Sequence, residues 1–399
     1  MTTPHSNLQR LDRLETYLRQ DPENPSLLGD AFEAALQAGE LARAEFHLRH
    51  AQSLHLDALA WQMREVHWLM AQSRWDEANP FLRALLSDTN TPAAARPALE
   101  QDLAYVALRR GDFAGGLAQL APRIDTVAAN EPLDPSLQVL WLRLLHRLHR
   151  HADAMAWATA RWQAQQLHPE AAGVASLIAL DADDGSLSLL WADHALRHDE
   201  QQMEALVARA TLALAQSNPA LSRSLLNRAL QHNGSDGRTL SALGFTELLE
   251  LRLDAARERF EQAVQGMPGH IGTWHGLGWA LLLKGDLQAA RQAFETALAL
   301  DRNFGESHGG LAVVQAMLNQ RAEAEESIER ALRLDRAGLS AHYAQAVLRG
   351  EARDMQAIRR LAQRLLGGRA ALTGNDMLSV LQRAVPAMKG QDTGGSSKP

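Results

Sequence analysis

The stretch His270–Arg302, HIGTWHGLGWALLLKGDLQAARQAFETALALDR, decides how this chain folds. It divides into two segments of helical apolar spacing around Lys284-Gly285-Asp286. Gly285 suits the left-handed backbone that ends a helix, and Asp286 can cap the helix that follows. With Ile271 as position 1, Trp274, Leu277, Gly278, Ala290, Phe294 and Ala297 stand at positions 4, 7, 8, 20, 24 and 27. Small Gly278 and Ala290 let the two helices approach closely. Trp274, Leu277 and Phe294 fill the space around that contact.

The unit recurs. Blocks beginning at Met203, Gly237, Ile271 and Gly305 follow one another every 34 residues without insertion. Position 8 reads Ala210, Gly244, Gly278, Ala312, and position 27 reads Ala229, Ala263, Ala297, Ala331. Position 24 reads Leu226, Phe260, Phe294, Ile328. This period and these positions resemble the tetratricopeptide repeat, and the chain is similar to bacterial stand-alone proteins of that type. The resemblance implies an all-α, right-handed α-solenoid of helix-turn-helix repeats that holds protein partners.

Working outward, residues 1–24 read as an N-terminal capping helix and 25–92 as two divergent repeats, the first turning at Gly39-Glu40. Residues 93–202 read as degenerate helix pairs whose register is not legible. Connections fall at Thr89–Pro97 and Asn130–Pro135. Four well-registered repeats occupy 203–338. A degenerate repeat and capping helix follow over 339–385, and 386–399 is expected to be a disordered tail.

Composition narrows the function. With 47 acidic against 40 basic residues the net charge is -7, which disfavours broad contact with phosphate backbones. No cysteine is present, so disulfides, thiolate catalysis and cysteine metal sites are excluded. The polar N-terminus and short apolar runs predict no signal peptide and no membrane insertion. A cytoplasmic protein is the expectation.

No nucleotide loop, zinc helix or nucleophile elbow appears, so no enzyme, cofactor or metal is expected. Asp181–Gly185 (DADDG) lacks the spacing of a calcium loop and reads as an interhelical turn. Among 16 histidines, His146, His149 and His151 cluster. The sequence puts His146 and His149 on one helical face, read as a solvated basic surface. His308, at position 4, reads as a core substitute for Trp274.

The family resemblance assigns the concave groove mainly to positions 2, 5, 9, 12 and 13 of the first helices. Here those positions offer Phe245, Leu248, His275, Trp279, Leu282 and Val313, an apolar and aromatic stripe. The Lys, Arg and Asn set that grips a C-terminal carboxylate is missing. Position 6, where some arrays carry an asparagine ladder, holds Ala208, Ala242, Gly276 and Gly310, and these small residues are expected to leave room for an inserted segment. The resulting expectation is a non-enzymatic scaffold, adaptor or co-chaperone, binding an apolar peptide or helix of a protein partner. The alternative is an assembly subunit of a larger bacterial complex, such as a secretion or surface-structure system, acting by self-association. On this reading Trp274 is core, whereas Trp279→Ala weakens partner capture without unfolding the array.

Overall fold

The computed structural model describes residues 4–350, Ser217 excepted. All regular elements among the described residues are α-helices, arranged as the expected solenoid of helix pairs. Two compact units divide the chain between His168 and Pro169, inside the 93–202 stretch that the sequence reading keeps together. The first unit opens with α1 (Pro4–Leu18). It continues with the pairs α2 (Pro25–Ala38) and α3 (Leu41–Ser53), α4 (Ala58–Ala71) and α5 (Trp75–Ser87), α6 (Arg96–Arg110) and α7 (Phe113–Asp125), α8 (Pro135–Arg147) and α9 (His151–Gln163). The second unit holds α10 (Pro169–Asp181) and α11 (Gly185–His198), α12 (Met203–Ala215) and α13 (Pro219–His232), α14 (Gly237–Leu249) and α15 (Leu253–Gly266). It ends with α16 (Ile271–Leu283) and α17 (Leu287–Leu300), α18 (Gly305–Met317) and α19 (Arg321–Leu334), then α20 (Leu339–Leu348). The remainder of the expected closing repeat, the capping helix to 385 and the tail at 386–399 lie outside the described residues.

One backbone feature sets the register. Gly39, Ser73, Gly111, His149, Asp183, Leu251, Gly285 and Asn319 all have positive φ, and each follows the first helix of its pair. Successive members lie 34 residues apart from Gly39 to Ser73, from His149 to Asp183, and from Leu251 through Gly285 to Asn319. Asp183 to Leu251 is twice that step, and the steps from Ser73 to Gly111 to His149 are 38. Two connections, between α5 and α6 and between α7 and α8, therefore absorb four extra residues each. Where a turn lacks glycine the left-handed backbone is strained, and Leu251 is the bulkiest residue held there. Carboxylates then open the next helix. Asp112, Asp184 and Asp286 accept from the backbone N–H of Gly115, Leu187 and Ala289 at 3.0, 2.9 and 3.1 Å. DADDG is thus a turn, with Asp183 left-handed and Asp184 the cap.

Within the second unit the first helices touch one another from repeat to repeat, while each second helix packs against the first helices on either side of it. The burial follows. α16 contains no charged residue and is buried nearly all round, whereas α17 buries only the stripe Ala290, Ala293, Phe294, Ala297.

Side-chain size is matched across repeats. The Phe260 ring lies between Gly244 of its own repeat and Gly276 of the next, where a Cβ would meet the ring at 2.8 and 2.6 Å. Phe294 lies in the same way between Gly278 and Gly310, at 2.7 and 2.5 Å. Where position 24 is the smaller Leu226 or Ile328, the corresponding residues are alanines: Ala210 and Ala242, Ala312 and Ala344. A ring takes two glycines, and a branched aliphatic takes two alanines.

A second recurring contact explains position 4. The Trp274 indole N–H donates to the Pro268 carbonyl at 2.8 Å. One repeat on, His308 Nε2 bonds the Arg302 carbonyl at 2.9 Å, and one further, His342 Nε2 bonds the Arg336 carbonyl at 3.0 Å. Histidine replaces tryptophan here because both place a ring N–H over the carbonyl six residues earlier. His308 is buried, as read from the sequence.

At the N-terminal end α1 buries Leu11 and Leu18 against α2 and α3. Arg43 fixes it with bonds of 2.6 Å to Glu15 and 2.7 Å to Asp12, and the Glu15 carboxyl is held below its usual range by that guanidinium.

Candidate partner-binding face

The six residues singled out in the sequence come from three adjacent first helices: Phe245 and Leu248 on α14, His275, Trp279 and Leu282 on α16, Val313 on α18. The apolar five belong to a single cluster, and the Trp279 indole N–H donates to His275 Nε2 at 3.0 Å. Phe245 meets Phe260 edge to face at 4.9 Å. His275 is ringed by Trp279, Phe294 and Phe304, with centroids 6.3, 5.5 and 5.8 Å away. The face is apolar and aromatic, with one imidazole.

Its exposure corrects two expectations. Leu248, Trp279, Leu282 and Val313 are 1%, 0%, 1% and 0% exposed, while Phe245 and His275 are partly exposed. Trp279, expected to face an open groove, is among the most deeply buried side chains, and Trp274, expected to be core, is half-buried. The reason is the inner-layer position of α16, flanked by α14, α15, α17 and α18. Second, the space that Gly276 and Gly310 were expected to leave for an inserted segment is occupied by the Phe260 and Phe294 rings.

His275 Nε2 accepts from Trp279, so the neutral ring carries its proton on Nδ1, which is buried without a partner. Burial among aromatic rings pushes its pKa down to about 4. The folded state therefore binds this proton less readily than the unfolded chain, where histidine titrates near 6.5. The stability it contributes is complete above about pH 6.5 and is lost as pH falls toward 4. Between pH 7 and 4.5 we expect wild-type protein to lose roughly 2–3 kcal/mol more than His275→Phe, measured by urea unfolding at both pH values. Equal losses in the two proteins would remove this account of His275.

Beside this face lies a polar chain that periodicity did not reveal. Ser241 and Thr273 share a hydroxyl bond of 2.9 Å, and Thr273 Oγ1 reaches His270 Nδ1 at 2.7 Å. The same His270 nitrogen accepts from the Thr273 N–H and so caps α16. A ring nitrogen in place of the usual Asp or Ser hides this cap from a sequence reading.

The histidine cluster also differs from its reading. α8 ends at Arg147, and His149 occupies the left-handed turn, so it does not share a helical face with His146. His151 lies between them, with ring centroids 5.6 Å from His146 and 5.9 Å from His149.

Repeated helix pairs, inner helices buried all round and outer helices buried along one stripe define an α-solenoid. Residues 272–304 match the sequence profile of the tetratricopeptide repeat. Residues 272–304 thus carry a tetratricopeptide repeat, and the helix pairs around them share its architecture. Among solved structures, a chain from the crystal structure of the APC/C hetero-tetramer Cut9-Hcn1 is similar over 87% of this chain, with a TM-score of 0.63 and 13% identity. The present chain spans 66% of that one, just under two thirds of its length. The human IFIT1 dimer with m7Gppp-AAAA is similar over 95% of this chain and 94% of its own, with a TM-score of 0.53 and 14% identity. At such identities the likeness is one of fold. Comparison with curated proteins finds no match.

Proposed function

We propose that the chain is a non-enzymatic protein-interaction scaffold, an adaptor or co-chaperone, that holds an apolar peptide or helix of a partner on the first helices of its second unit. The observation that carries this reading is the apolar, aromatic face joined from α14, α16 and α18. Phe245 is its reachable residue, His275 is partly exposed with its Nδ1 buried, and Leu248, Trp279, Leu282 and Val313 are the rigid apolar backing. Aromatic anchors on a rigid support are the usual carriers of binding energy at protein interfaces. The net charge of -7 favours a protein partner over nucleic acid, and no described helix is long and apolar enough to cross a membrane. A reducing, cytoplasmic setting suits the cysteine-free sequence.

The test is affinity capture with wild-type and Phe245→Ala protein. Because Phe245 is only partly buried, the variant should keep its helical signal and lose a defined subset of captured proteins. Identical capture by both proteins would refute this use of the face. A mass that rises with concentration, together with unchanged capture, would favour self-association.

A further inference from the structure

The second helices α17 and α19 enclose a pocket of about 480 Å³. Leu298, Ala299 and Leu334 give it apolar walls, and His308 stands between them. Leu334 is 44% exposed. Arg302, Arg330 and Arg333 also line it, against the single acid Glu295. One repeat earlier the same positions are filled differently. Subtracting 34 turns His308 into Trp274, and Arg302, Arg330 and Arg333 into Pro268, Thr296 and Ala299. Trp274 and His308 each hold the carbonyl six residues back through a ring nitrogen. The imidazole does so with the smaller ring and is buried, whereas the indole stands half-buried. Where the larger ring is lost, three guanidinium groups appear.

We propose that this pocket takes a tryptophan side chain of a protein partner, from a segment with acidic residues on either side of it. Size and charge both select this occupant. The apolar walls and the room of an exchanged ring suit an aromatic side chain. Guanidinium groups favour the faces of such rings, tryptophan most of all. This chain makes that contact repeatedly, with Arg64 over Trp61 at 4.8 Å, Arg109 over Trp75 at 5.0 Å and Arg161 over Trp157 at 4.9 Å. Three arginines against one glutamate then favour acidic neighbours on the incoming segment. Arg330 and Arg333 pair with Glu326 and Glu329 of their own helix, but those pairs are exposed and give way at little cost. The pocket is separate from the first-helix face around Phe245, so either assignment can fail without the other.

The test is calorimetric titration of the full-length protein with the acetylated, amidated tripeptide Asp-Trp-Asp. Saturable binding is expected, roughly tenfold or more tighter than for Asp-Ala-Asp or Lys-Trp-Lys. His308→Trp restores the larger ring and can keep the carbonyl bond that Trp274 makes one repeat earlier, so it should fold and lose the peptide by roughly tenfold. Arg333→Glu, at an exposed position, should lose it by a similar factor, and Phe245→Ala should not change it. No saturable binding by wild type, equal binding of Asp-Ala-Asp, or unchanged binding by both His308→Trp and Arg333→Glu would each overturn the proposal. A wild-type dimer that takes no peptide and that His308→Trp dissociates would give the pocket to a second copy, which also overturns it.

Discussion

Replacing Trp279 by alanine is expected to cost the array roughly 3–5 kcal/mol, the range for truncating a fully buried aromatic. The indole is 0% exposed, meets Phe294 edge to face at 6.1 Å and donates its N–H to His275. Its removal leaves a cavity between neighbouring first helices and takes away the partner of His275 Nε2. Trp274→Ala should cost less, about 1–3 kcal/mol, because that side chain is half-buried and loses one hydrogen bond to the Pro268 carbonyl with part of its packing. Urea unfolding of both variants checks the order. A Trp279→Ala protein as stable as wild type would return that residue to the surface. This ranking is why the partner-capture experiment uses Phe245 and not Trp279.

The second large effect concerns Phe294 and its two glycines. Phe294→Leu alone should destabilise by roughly 2–3 kcal/mol through the lost ring volume. Gly278→Ala with Gly310→Ala, leaving the ring in place, should cost about 2–4 kcal/mol, since each new methyl meets the ring at under 3 Å. Combined, the three changes recreate the arrangement of Leu226 with Ala210 and Ala242. They also replace two helical glycines with a better helix former, worth up to about 1 kcal/mol each. The triple variant should therefore be more stable than either partial one.

Much of this was legible beforehand. The 34-residue period, the turn at Gly285, the cap at Asp286 and the core role of His308 all follow from residue type and spacing. What escaped has identifiable physical causes. Trp279 stands at a position that in the family lines the groove, but α16, IGTWHGLGWALLL, carries no charge on any face. That absence was the available sign that the helix is buried all round. Gly276 and Gly310 looked like vacant space because each is filled from 16 residues upstream, by Phe260 and Phe294 of the preceding repeat. Only a comparison of position 6 with position 24 of the block before it reveals the match. The register across 93–200 was hidden because two connections each add four residues and because His149 and Asp183 replace glycine in their turns.

Cross-repeat size matching determines how the first helices pack, and one thermodynamic cycle tests this most directly. Urea unfolding of wild type, Phe294→Leu, the Gly278→Ala and Gly310→Ala pair, and the triple variant gives the coupling between ring and glycines. The predicted coupling is about 1–3 kcal/mol, with the triple variant recovering stability that each partial change loses. Additive losses, within about 0.5 kcal/mol, would contradict it.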